Sequence, residues 1–156
     1  MVLRSLVTLH RHHGRVFSQT IDRVKDPISK RRFVYKNQGI VTMSAGKIFI
    51  AEHDKLENDG LYLKIMLPTS RSHVSLLSGI MTGTSHRAQR EIGAVRVVMR
   101  YLGPTVDIRT ELKKCGLFKP EPQFVSPEIL QMIRNDIPPD ETVLQPKPTS
   151  IGLSWP

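Results

Sequence analysis

Leu61-Tyr62-Leu63-Lys64-Ile65-Met66-Leu67 is followed, beyond Pro68, by Ser72-His73-Val74-Ser75-Leu76-Leu77-Ser78-Gly79-Ile80-Met81, and the reading of these two stretches decides the fold. In the first, Leu61, Leu63, Ile65 and Leu67 alternate with Tyr62, Lys64 and Met66, the two-residue period of a strand, and Pro68 ends it. In the second, Ser72 suits an N-cap, and Val74, Leu77, Ile80 and Met81 recur at helical spacing, with Gly79 as the one weakening residue. A helix there predicts an α+β fold: a small antiparallel or mixed β-sheet with helices on one face, plus extended N-terminal and C-terminal segments.

Outward from this pair, Phe33 to Lys36, Ile40 to Met43 and Lys47 to Glu52 read as strands, with Ser44-Ala45-Gly46 as a tight connection. Ala94 to Leu102 alternates again, with Val95, Val97, Met99 and Tyr101 on one face and Arg96 and Arg100 on the other. Gly103-Pro104 turns the chain into a predicted helix from Val106 to Cys115, with Thr105 as cap. Residues 120–156 hold eight of the eleven prolines, so they read as a tail rather than more sheet. Ser126, Pro127 and Glu128 start one short helix in it. Composition thus divides the chain into a basic segment (1–32), an α+β domain (33–119) and a proline-rich tail (120–156). The tail's apolar Val143, Leu144, Ile151, Leu153 and Trp155 suit a surface laid along a protein partner.

Lys and Arg number 23 against 14 for Asp and Glu, a net charge of +9, which favours an anionic partner. Residues 1–36 hold nine of these bases against Asp22 and Asp26, so +7 of the +9 lies there. The first 21 residues contain no acid, three arginines and three histidines, the composition of a mitochondrial transit peptide, and Arg15-Val16-Phe17-Ser18 fits a processing site after Phe17. The expected address is therefore the mitochondrial matrix, with a retained basic arm, in a viral or nuclear protein, as the alternative. No apolar run approaches the ~20 residues of a membrane-spanning helix, so no transmembrane segment is expected.

The chain is poor in catalytic patterns. Cys115 is the one cysteine, which excludes an internal disulfide and a cysteine-based zinc site. His10, His12 and His13 lie in the targeting-like segment, and Glu52, His53 and Asp54 are strand neighbours that point to alternate faces. No phosphate loop and no GxGxxG occurs, and no metal, cofactor or small-molecule substrate is expected. What remains is a cationic set: Lys30, Arg31 and Arg32, then Arg87, Arg90, Arg96 and Arg100, residue types that meet phosphates without reading bases. The expectation is a non-enzymatic structural subunit of a mitochondrial ribonucleoprotein, a ribosomal protein contacting rRNA and neighbouring proteins. The alternatives are an accessory subunit of an inner-membrane respiratory or ATP synthase complex, and a basic viral matrix-type or nucleocapsid-associated protein.

Overall fold

The computed structural model describes residues 1–25, 30–55, 60–67, 74–84 and 92–147. Among the described residues strand makes up 56% and helix 10%, which overturns the α+β expectation: the fold is mostly β, and no helical layer covers a face there. Seven antiparallel strands follow one another as a meander: β2 (Leu6–His12), β3 (Arg15–Lys25), β4 (Arg32–Ser44), β5 (Lys47–Asp54), β6 (Leu61–Leu67), β7 (Leu76–Thr84) and β8 (Ile92–Arg100). A separate two-stranded piece joins β1 (Val2–Arg4) to β9 (Gly116–Phe118), and the two helices are the short α1 (Ile108–Lys113) and α2 (Pro127–Ile133).

The error has a physical source. The helical spacing of Val74, Leu77, Ile80 and Met81 competes with a period-two pattern, Leu76, Ser78, Ile80 and Thr82 against Leu77, Gly79, Met81 and Gly83, and a window this short satisfies both. Pairing of β7 with both β6 and β8 decides for the strand. The basic N-terminal segment is also built into the sheet, since β2 and β3 pair from Leu6↔Ile21 to His12↔Arg15 and β3 pairs with β4 along ten residues. Both tight hairpin turns carry positive φ at their two central residues, His13-Gly14 and Ala45-Gly46, the geometry that suits the twist of the flanking strands.

The sheet is strongly curled. Thr20 on β3 and Lys64 on β6 are three strands apart, about 14 Å in a flat sheet, yet Lys64 Nζ donates to Thr20 Oγ1 at 2.9 Å. Residues directly paired share a face, so Thr20, Asn37 and Asp54 lie on the same, concave side as Ser18, Glu52, Tyr62, Lys64 and Met66. All of these are buried. Gly39, between Ser18 and Glu52 in register, makes room for the curl: a Cβ there would stand 1.7 Å from the Ala51 carbonyl oxygen.

At the two margins the convex face is covered by the chain's own later segments. Arg23 donates to the Leu112 carbonyl at 3.1 Å, adding to the backbone bond which that carbonyl accepts from Cys115 at the end of α1. At the other margin α2 and residues 134–147 lie along β8. The tail expected to await a partner is therefore, as far as Lys147, a strap on its own sheet.

Candidate nucleic-acid interface

The concave face holds a closed polar network. The Thr20 hydroxyl accepts from Lys64 and donates to the Glu52 carboxylate at 2.8 Å, and Lys64 Nζ meets Glu52 Oε2 at 2.5 Å. Glu52 is 1% exposed and both its oxygens are engaged, so it serves as the counter-charge of Lys64 and not as a base facing substrate. Ser18 Oγ and Asn37 Oδ1, beside it, find no hydrogen-bond partner among the described residues.

The convex face is different in kind. Its strand residues include Arg15, Arg23, Lys25, Arg32, Lys36, Lys47, Arg96 and Arg100, together with His10, His12 and His53, and not one Asp or Glu. Every strand carboxylate, Asp22, Glu52 and Asp54, points to the concave side. Arg15, Lys25, Arg32, Lys36 and Lys47 are exposed. Lys25 stands directly opposite Arg32, a like-charge cross-strand pair that opposes the hairpin it closes. Such an arrangement gains when an anion lies across it.

The cations singled out from sequence divide accordingly. Lys30, Arg31 and Arg32 lie at the β3–β4 end of the meander and are exposed. Arg87 and Arg90 fall outside the described residues. Arg100 is exposed at the opposite end.

Arg96 is a correction. It shares the convex side with Arg100 but is 6% exposed, and its guanidinium donates to the carbonyls of Arg134, Asp136 (2.8 Å) and Gln145 (2.6 Å), while its backbone N–H donates to Asn135 Oδ1 at 2.7 Å. It fastens the strap, and with its side chain 3% exposed it offers little surface to a phosphate. Of the partner-facing tail, Val143 is 60% exposed and Leu144 half-buried, while Ile151, Leu153 and Trp155 lie outside the described residues. Sequence reasoning missed Lys25 and Lys36. The alternation of Arg23, Lys25, Arg32 and Lys36 would have revealed them had residues 15–25 been read as a strand.

The remaining titratable groups do not assemble into a reaction centre among the described residues. His53 points away from Glu52 and Asp54, with Nδ1 3.3 Å from the Asp54 carbonyl oxygen. Burial, aided by Asp22 and Glu111, pushes the Cys115 thiol above its ordinary value against the opposing pull of Arg4 and Arg23. A surface hollow between β9 and Phe124 is lined by Met1, Leu117, Phe118 and by Lys119 and Glu121, which pair with each other at 3.7 Å. No group of three His, Cys, Asp or Glu among the described residues could hold a metal, and no described helix is long and apolar enough to cross a membrane. Comparison with protein families, with curated proteins and with solved structures finds no match.

Proposed function

We propose that the protein is a non-enzymatic structural component of a ribonucleoprotein, binding the phosphate backbone of RNA through the β3–β4 end of its convex face. The observation that carries this reading is the segregation of charge: the convex strands bear the cations and no carboxylate, and the like-charged Lys25 and Arg32 face each other. Lys36 lies two register steps further along the same face. Cations without interleaved exposed aromatics grip phosphates and leave bases unread, so binding is salt-sensitive and tolerant of sequence.

The sheet favours a retained N-terminus over a cleaved mitochondrial leader. Cleavage after Phe17 would remove β1 and β2 and shorten β3, uncovering the edge now formed by Leu6 to His12. Peptide mapping of the purified protein recovers residues 1–17 on this view, whereas an N-terminus at Ser18 supports a matrix-import view.

RNA affinity measured at several salt concentrations tests the interface. Arg32→Glu/Lys36→Glu should weaken binding to unrelated RNA sequences alike and lower the slope of log affinity against log salt by about one unit per cation. An unchanged slope removes these residues from the interface, and no RNA binding by the wild type removes the reading.

A further inference from the structure

The meander ends in two outer strands, β2 and β8, and the chain treats them differently. On β8 the outward backbone N–H of Arg96 is taken by Asn135 Oδ1 at 2.7 Å, and α2 packs along that margin. On β2, among the described residues, no strand or helix other than β3 packs along the strand. The hairpin closes on the pair His12↔Arg15 through the two-residue turn His13-Gly14, so Leu6, Thr8, His10 and His12 turn their backbone groups to β3, whereas Val7, Leu9 and Arg11 turn theirs outward. These outward groups meet no partner among the described residues. The strand has no proline and no bulge, Arg11 is its one fixed charge, and Leu9 is 56% exposed. An unblunted edge of this kind is a template for a further strand.

We propose that two copies of the chain pair through this edge, β2 antiparallel to β2 about a two-fold axis at Leu9, so that one continuous sheet runs through both. The strand is complementary to itself in that register. Each outward N–H of Val7, Leu9 and Arg11 meets an outward carbonyl, and Leu9 of one copy lies beside Leu9 of the other, covering aliphatic surface that is otherwise wet. Val7 faces Arg11, Thr8 faces His10 and Leu6 faces His12, so no basic residue opposes another. The two Arg11 side chains start about 14 Å apart, beyond a Debye length at physiological salt. Moving the axis to His10 or Arg11 sets a basic residue against its equal, and moving it to Thr8 places the outward groups of Arg11 past the start of β2 at Leu6. Each copy carries +9, so screening by salt favours the pair, whereas it weakens a phosphate contact. The proposal is independent of the RNA reading, because it uses the backbone of β2 and none of Lys25, Arg32 and Lys36.

The test is analytical ultracentrifugation of the full chain, freed of nucleic acid by nuclease and a high-salt wash, from low to high micromolar concentration. Wild type is expected to show a monomer–dimer equilibrium that moves toward dimer as salt rises. Leu9→Lys sets like charges together on the axis and leaves the β2–β3 bonds in place, so it should weaken the dimer by about tenfold or more with far-UV circular dichroism unchanged. Disulfide trapping with diamide, in a Cys115→Ser background, reads the register, since hydrogen-bonded antiparallel partners have Cα atoms about 5.5 Å apart, within disulfide reach. Leu9→Cys should cross-link to itself, whereas Val7→Cys and Arg11→Cys should cross-link to each other when mixed and not alone. A wild type that stays monomeric throughout overturns the proposal, as does a Leu9→Lys dimer of unchanged strength or self-cross-linking of Val7→Cys or Arg11→Cys in place of Leu9→Cys.

Discussion

The two faces of β6 reverse the usual assignment of inside and outside. Tyr62, Lys64 and Met66 are 7%, 5% and 0% exposed, while Leu61 on the other face is 68% exposed. Hydropathy alone ranks the leucines for burial. Curvature decides otherwise, because the concave side of a tightly curled meander is enclosed by its own strands, whereas the convex side is covered, among the described residues, where α1, β9, α2 and the strap reach it. Of the enclosed polar groups, the charged pair is tolerable because Thr20, Glu52 and Lys64 satisfy one another.

The sharpest way to break this comparison is to remove one charge from each face. Lys64→Met leaves Glu52 buried without its counter-charge and should cost about 3–5 kcal/mol, a large part of the stability of an ordinary domain. The double variant Glu52→Leu/Lys64→Met should recover most of that loss. Lys36→Met on the convex face should change stability by less than about 0.5 kcal/mol. Urea midpoints of the three variants check the contrast, and similar small losses at Lys64 and Lys36 would mean that the concave face is open to water.

The curl itself can be challenged at Gly39. A methyl group there meets the Ala51 backbone on the neighbouring strand, where no flexible side chain can yield, so Gly39→Ala should cost about 3 kcal/mol in thermal or urea unfolding. An unperturbed Gly39→Ala would show that β4 and β5 do not approach so closely.

These positions also mark what the sequence could and could not convey. The alternation in Leu61 to Leu67 was legible, and so was the start of α2 at Ser126-Pro127. Which face of β6 is inside was not, since that depends on Thr20 and Glu52 arriving from strands that lie 44 and 12 residues earlier. Residues 15–25 concealed their strand because a run free of acids, except for Asp22, suits both a leader and a strand whose convex side is cationic. The cationic patch was half legible: Lys30 to Arg32 stand out as a run, but Arg96 could be separated from Arg100 only by knowing that the strap returns to β8.

That strap gives the next test. Arg96→Met removes charge-assisted hydrogen bonds to three carbonyls and should cost about 2 kcal/mol, with faster amide exchange over residues 134–147 and little change in the β3–β5 core. Acid acts on the same element. The hydrogen bond from Lys147 holds the Asp136 carboxyl below its ordinary value of 3.8. A carboxyl whose folded pKa is depressed stabilises above its unfolded value and loses that contribution as pH falls through the folded one. Exchange protection of the strap should therefore be constant near neutrality and decline only below about pH 4, and a decline that begins near pH 6 would point to histidine instead.

The smallest expected effect separates folding from function most cleanly. Lys25→Glu replaces the opposed Lys25/Arg32 pair with an attractive one across the hairpin end. Cross-strand pairs of opposite charge contribute roughly 0.2–1 kcal/mol, and like charges oppose by a similar amount, so the variant should be slightly more stable than wild type. It should also bind RNA less tightly, with a lower salt slope, because it removes one cation and places a carboxylate on a face that otherwise has none among its strand residues. Stability and affinity thus move in opposite directions from one substitution. A pair kept for the hairpin alone would show no loss of affinity, and a pair kept for the anion shows both changes, by urea unfolding and by titration of the same protein sample.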